Sequence, residues 1–169
     1  GLISTFLNGM VKCTGYKPGA LEDRYSSDGV FLYDRLNKSD MEMLELAIRC
    51  HNMYRIPQGL NSREQAFCNV LRDADKVDIF KVNIDTPLEE IYNTTTEELM
   101  KSDITDEVLE AFDEEHCILK AIRRTPADTV IGHVSLAYEL VYDESVRITV
   151  EQGYLAKLMH FHSDNEETN

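Results

Sequence analysis

From Ser39 to about residue 160 the apolar residues of this chain return every three or four positions, and no stretch alternates in the manner of a half-buried strand. That period, punctuated by start and stop signals, restricts the fold more than any other feature: the chain is expected to be all-α. Ser39 is expected to cap a helix opening with Asp40 and Glu42, whose carboxylates suit a helix N-terminus. Met41, Leu44, Ala47, Ile48 and His51 would share one face of that helix, with Pro57 and Gly59 closing the segment. Ser62 with Gln65 three residues later has the form of a capping box. Behind it Phe67, Val70, Leu71, Ala74 and Val77 or Asp78 repeat at helical intervals.

Pro87 and Asn93-Thr94-Thr95-Thr96 mark breaks, and Thr105 is expected to cap residues 106–112. Thr125-Pro126-Ala127-Asp128 combines a cap, a proline at the first helical position and a capping-box acid. The helix that follows, to about Tyr142, is apolar on most sides and therefore expected at the centre of the core. Ser145 is expected to open a last helix carrying Val146, Val150, Tyr154, Leu155, Leu158 and Met159.

Ahead of this helical region, residues 1–38 hold five of the eight glycines and Pro18, and read as a loop-rich segment. Residues 39–162 then form the helical domain, and 163–169 a polar tail. With 43% apolar residues in 169, the chain can bury a core without disulfide or metal staples. Cys13, Cys50, Cys68 and Cys117 are scattered and contain no Cys-x-x-Cys pair, which excludes zinc-ribbon and thioredoxin motifs. They are expected to be reduced, with Cys50 and Cys68 acting as small hydrophobes inside helices. No signal-peptide pattern opens the chain and no apolar run spans a membrane, so the expected location is the cytoplasm.

Thirty-one acidic residues against seventeen basic ones give a net charge of −14, which argues against nucleic acid and anionic membranes as partners. The excess is local: residues 85–115 carry twelve Asp or Glu and a single basic residue, Lys101. Such a run is either the solvated outside of a helix pair or a docking face for a basic partner.

Two stretches carry residues suited to chemistry: Ala47-Ile48-Arg49-Cys50-His51-Asn52 and Leu71-Arg72-Asp73-Ala74-Asp75-Lys76-Val77-Asp78-Ile79-Phe80. His51 ends the apolar stripe of its helix, and Asp75 lies one turn after Leu71. A carboxylate carried inward must be paired or bound to metal, and Asp with neutral imidazole suits a divalent transition metal. Pairing of those acids with Arg49, Arg72 or Lys76 is the simpler alternative.

These stretches, with Arg55-Ile56-Pro57 between them, resemble the middle of a bacterial HD-domain protein. Glu107-Val108-Leu109-Glu110-Ala111-Phe112, Thr125-Pro126-Ala127-Asp128 and Glu151-Gln152-Gly153-Tyr154-Leu155 are similar to later helices of one subgroup. The resemblance covers roughly residues 40–160. It implies an HD-like helical bundle and metal-dependent hydrolysis of phosphate esters or nucleotides. It also implies a divalent ion (Mn, Ni, Fe, Mg or Zn) with Asp75 as the last acidic ligand and His51 as a second. Arg72 and Lys76 become phosphate partners beside the catalytic Asp75.

The family's earlier histidine and its adjacent His-Asp pair have no counterpart: no histidine precedes His51, and no His-Asp dipeptide occurs. The bundle is therefore expected to be N-terminally incomplete or degenerate, its metal held weakly and its hydrolysis weak or absent. The other expectation is a non-catalytic helical interaction domain. It would bind through the acidic segment or an exposed apolar groove, a homodimer being one form of it.

Overall fold

A computed structural model of the chain describes residues 37–161, 163 and 164. The N-terminal segment expected to be loop-rich, apart from its last two residues, lies outside the described residues, as do Cys13, His162 and the tail from residue 165. Among the described residues the fold is all-α, with no strand. Eight α-helices follow in order: α1 Lys38–Cys50, α2 Ser62–Asp85, α3 Leu88–Tyr92, α4 Thr96–Met100, α5 Asp106–Asp113, α6 Pro126–Val134, α7 Asp143–Gln152 and α8 Tyr154–Met159. Short 3₁₀ helices cover Lys120–Ile122 and Ser135–Glu139. The chain divides into two compact units, Gly1–Asp75 and Lys76–Asn169, so that the division falls inside α2.

In the first unit the helix starts lie slightly upstream of those expected. Asn37, rather than Ser39, caps α1: its side chain accepts the Asp40 N–H at 3.0 Å. Asn61, rather than Ser62, caps α2. Its Oδ1 accepts the N–H groups of Arg63 and Glu64, both at 3.0 Å, while the Glu64 carboxylate accepts the Asn61 N–H at 2.9 Å. The reciprocal geometry is that of a capping box, displaced by one residue because Asn and Ser are equally good caps.

α1 buries Met43, Ala47 and Cys50, a stripe that shares only Ala47 with the expected face. It ends at Cys50, with His51 as C-cap, well before Pro57 and Gly59. Ala47, Cys50 and Cys68 form the unit's core, with Leu46, Ile56, Leu60 and Leu71 packed around them.

The expected apolar face of α2 is also displaced. Phe67 and Val70 are 40% and 57% exposed, whereas Cys68, Arg72 and Asp73 are buried. Apolar residues are not obliged to be inside, and charged ones go inside when hydrogen bonds receive them.

In the second unit Phe80, Leu99, Val130, Val134 and Leu158 form the core, with Ile84, Leu88, Tyr92 and Phe112 among the flanking side chains. α4 starts at a capping box between Thr95 and Glu98. α6 starts as expected: Thr125 caps it, Pro126 opens it, and Asp128 completes the box. It stops at Val134 instead of continuing to Tyr142. There Ser135 Oγ donates to Gly132 O at 2.9 Å and accepts the Ile118 N–H at 3.0 Å, and the chain tightens into 3₁₀ geometry.

The expected last helix is two helices. α7 opens at Asp143, before Ser145, and Gly153 at φ +68° terminates it with the left-handed geometry that glycine adopts at little cost. Val146 and Val150, on α7, are exposed. The twelve acids of residues 85–115 all lie on exposed positions.

Candidate functional site

His51 sits at the C-cap of α1, partly buried. Its Nδ1 lies 2.6 Å from Ile48 O. A carbonyl oxygen can only accept, so Nδ1 carries a proton, and in the neutral ring the lone pair is then on Nε2. A metal-ligating imidazole can use that tautomer, binding through Nε2 while Nδ1 is held by a carbonyl.

Arg72 is buried on α2, three residues before Asp75, and donates to main-chain carbonyls. Its Nη1 donates to Cys50 O at 3.2 Å and to Met53 O, and its Nη2 donates to Tyr54 O at 3.3 Å. These carbonyls lie where α1 has ended, in the stretch that includes His51. The planar fork of arginine thus holds the turn after α1 against α2. In these bonds the guanidinium acts as a structural clamp; its phosphate-binding part is what the resemblance implied.

Asp75 is partly buried and already has interactions with its surroundings. The more deeply buried acid of the motif is its neighbour Asp73, at 1% exposure, which the spacing did not single out. Lys76 belongs to the second unit, where it is buried and donates through Nζ to Glu139 O at 2.9 Å. Arg72 and Lys76 are therefore both engaged with main-chain carbonyls. Among the described residues no three His, Cys, Asp or Glu side chains gather closely enough to hold a metal ion. His51 and Asp75 are of the right chemical type, but neither belongs to such a group among the described residues.

A cleft of about 120 Å³ in the first unit is lined by Ser39, Glu42, Met43, Asn61, Arg63 and Glu64. It is smaller than the roughly 300 Å³ at which small-molecule pockets begin, and none of the motif residues lines it.

The second unit contains polar groups that the sequence did not mark. Asn83, 3% exposed, accepts through Oδ1 from Tyr92 Oη at 2.5 Å and from His133 Nδ1 at 2.9 Å, and donates through Nδ2 to Ile79 O at 2.8 Å. Burial, with Arg123 and Lys120 adding repulsion, lowers the His133 pKa to about 4, so its imidazole is neutral near pH 7. Burial also raises the Tyr92 hydroxyl far above its usual range. Arg123 donates to Ile118 O at 2.6 Å and Gly132 O at 3.3 Å, and burial lowers its pKa. An isolated polar residue inside an apolar helix, such as His133 between Gly132 and Val134, was the only available signal.

The cysteines follow expectation: Cys50, Cys68 and Cys117 are buried free thiols. Among the described residues no helix is long and apolar enough to cross a membrane. No family model, no curated protein and no solved structure matches the chain.

Proposed function

We propose that this chain carries part of an HD-like metal site, with Asp75 as the acidic ligand and His51 as the imidazole ligand, in a cytoplasmic protein that hydrolyses small phosphate esters or nucleotides weakly or not at all. The observation that supports it best is the His51 hydrogen bond to Ile48 O, which leaves Nε2 as the basic nitrogen. A bound divalent ion would supply Lewis acidity and a water of lowered pKa. With only two protein ligands the ion stays largely hydrated, so affinity is low. Arg72, which the resemblance made a phosphate partner, serves in this reading as a positioning residue for the His51 turn.

The test is equilibrium dialysis of the full chain against Mn²⁺ or Ni²⁺ with elemental analysis, alongside Asp75→Asn and His51→Ala. Weak binding that desalting removes, and that either substitution abolishes, is expected. Absence of binding, or binding that neither substitution alters, overturns the assignment. Tight stoichiometric metal with strong turnover of a generic phosphate ester overturns the incomplete ligand set.

A second reading, a non-catalytic interaction domain, is favoured by the exposure of all twelve acids in residues 85–115. Leu109, 43% exposed, stands on α5 among Asp106, Glu110 and Asp113, a mixed surface that suits a basic partner. Binding of a lysine-rich peptide that weakens with salt, and is lost on converting Glu110 and Asp113 to Lys, is its expected result. Light scattering on the free chain reports self-association separately.

A further inference from the structure

Two buried thiols in the first unit are held together by more than chance packing. Cys50 is the last residue of α1 and Cys68 lies in the second turn of α2, at 2% and 0% exposure. Their side chains lie in one buried cluster with Ala47. Arg72, one turn beyond Cys68, fixes the backbone at the same place by donating to Cys50 O at 3.2 Å. Side chain and main chain therefore both bring residue 50 against the 68–72 turn. Sequence spacing, with seventeen residues between the two cysteines, contained no hint of this.

We infer that Cys50 and Cys68 form an oxidisable pair that closes to an intramolecular disulfide when the protein meets a hydroperoxide. The oxidant must be small because both residues are buried, and hydrogen peroxide is the smallest hydroperoxide. Either thiol can attack first with the same product, Cys50 for example. The Cys50 thiol gives up its proton and attacks one peroxide oxygen. The O–O bond breaks, the leaving hydroxide takes that proton to become water, and a sulfenic acid remains on Cys50. Cys68 then attacks Cys50 Sγ, expelling hydroxide, which takes the Cys68 proton as a second water. In total two thiols and one peroxide give one disulfide and two waters. The product staples the end of α1 to α2, beside the turn that carries His51.

The experiment exposes the full reduced chain to hydrogen peroxide, quenches with catalase, alkylates in denaturant and maps peptides by mass spectrometry. A loss of two mass units, a Cys50–Cys68 linked peptide, and full reversal by dithiothreitol are expected. The melting temperature should rise by about 5 °C or more, because the bridge closes a loop in the unfolded chain. Cys50→Ala and Cys68→Ala should each abolish the bridge, whereas Cys117→Ala should leave it intact. Linkage to Cys117 or Cys13, irreversible oxygen addition at Cys50 or Cys68 without linkage, or unmodified thiols after a dose that oxidises free cysteine would each overturn the pairing. Should an alanine variant fail to fold, the peptide map of the unsubstituted chain still decides.

Discussion

Asp128 receives the Thr105 backbone N–H at 2.8 Å, and this bond between residues 23 apart fastens the start of α5 to the start of α6. The Asp128 carboxylate is fully buried and also accepts the N–H groups of Arg124 at 2.8 Å and Thr125 at 3.0 Å. Donors converge on both of its oxygens, so the isosteric amide cannot replace it: one oxygen becomes an NH₂ facing N–H groups. Asp128→Asn is expected to destabilise the chain by about 2–4 kcal/mol, the range for losing charge-assisted bonds and stranding buried donors. Urea unfolding followed by circular dichroism measures it, and a loss below about 0.5 kcal/mol would contradict this role.

The His133 imidazole sets a pH dependence of definite sign. Its pKa is lowered to about 4 in the fold, mainly by burial, against 6.5 for the ordinary group. The unfolded chain therefore binds a proton that the native chain refuses between these values. Stability is complete above pH 6.5 and falls as the pH drops toward 4, by an amount of order 2–3 kcal/mol. Carboxylates also titrate near the lower end, so the relevant measurement is the difference between the chain and His133→Gln. Melting curves from pH 7.5 to 4.5 should show a shallower decline in the variant. Parallel curves would dismiss His133 as the source.

The part of this fold legible in sequence is the part written in local chemistry. Thr125-Pro126-Ala127-Asp128 specifies its helix start because cap, proline and acid lie within four residues, and the structure has that start. Helix faces are decided by distant partners. α2 turns Arg72 and Asp73 inward and leaves Phe67 and Val70 largely outside, since the carbonyls of Cys50, Met53 and Tyr54 receive the guanidinium. Periodicity counts apolar residues and cannot see those acceptors. For the candidate site, sequence identified His51 and Asp75 as chemically suited side chains. The bonds of Arg72 and Lys76 to main-chain oxygens had no signature in their spacing.

Gly132 has a different reason to be small. A Cβ built there would lie 2.2 Å from Nε of Arg123 and 2.3 Å from its Cζ, inside any allowed contact. Gly132→Ala must therefore displace a guanidinium that donates to Ile118 O and Gly132 O. The gain in helix propensity, about 1 kcal/mol, works in the opposite direction. The expected outcome is a net loss of about 1–3 kcal/mol, from the stranded Ile118 carbonyl and the displaced side chain. Pairing it with Arg123→Ala tests the cause: the double variant should lose less than the sum of the singles. Additive losses would place the clash elsewhere.

Arg72 gives the prediction most closely tied to the candidate site. One guanidinium serves Cys50 O, Met53 O and Tyr54 O, and a lysine ammonium on a flexible stem cannot span all three. Arg72→Lys keeps the charge and leaves at least one carbonyl without its donor, at an expected cost of about 1–3 kcal/mol. The loss should be local before it is global, because the three carbonyls belong to the end of α1 and the turn behind it. Arg55 is exposed in that turn, so brief trypsin treatment under native conditions reports the loosening directly. Cleavage after Arg55 should accelerate several-fold in Arg72→Lys, while cleavage after Arg147, in α7, should not change. If Arg72 held phosphate instead of backbone, the substitution would leave both cleavage rates alone and affect only ligand binding. Unchanged cleavage after Arg55 would thus return Arg72 to the ligand-binding part that the resemblance gave it.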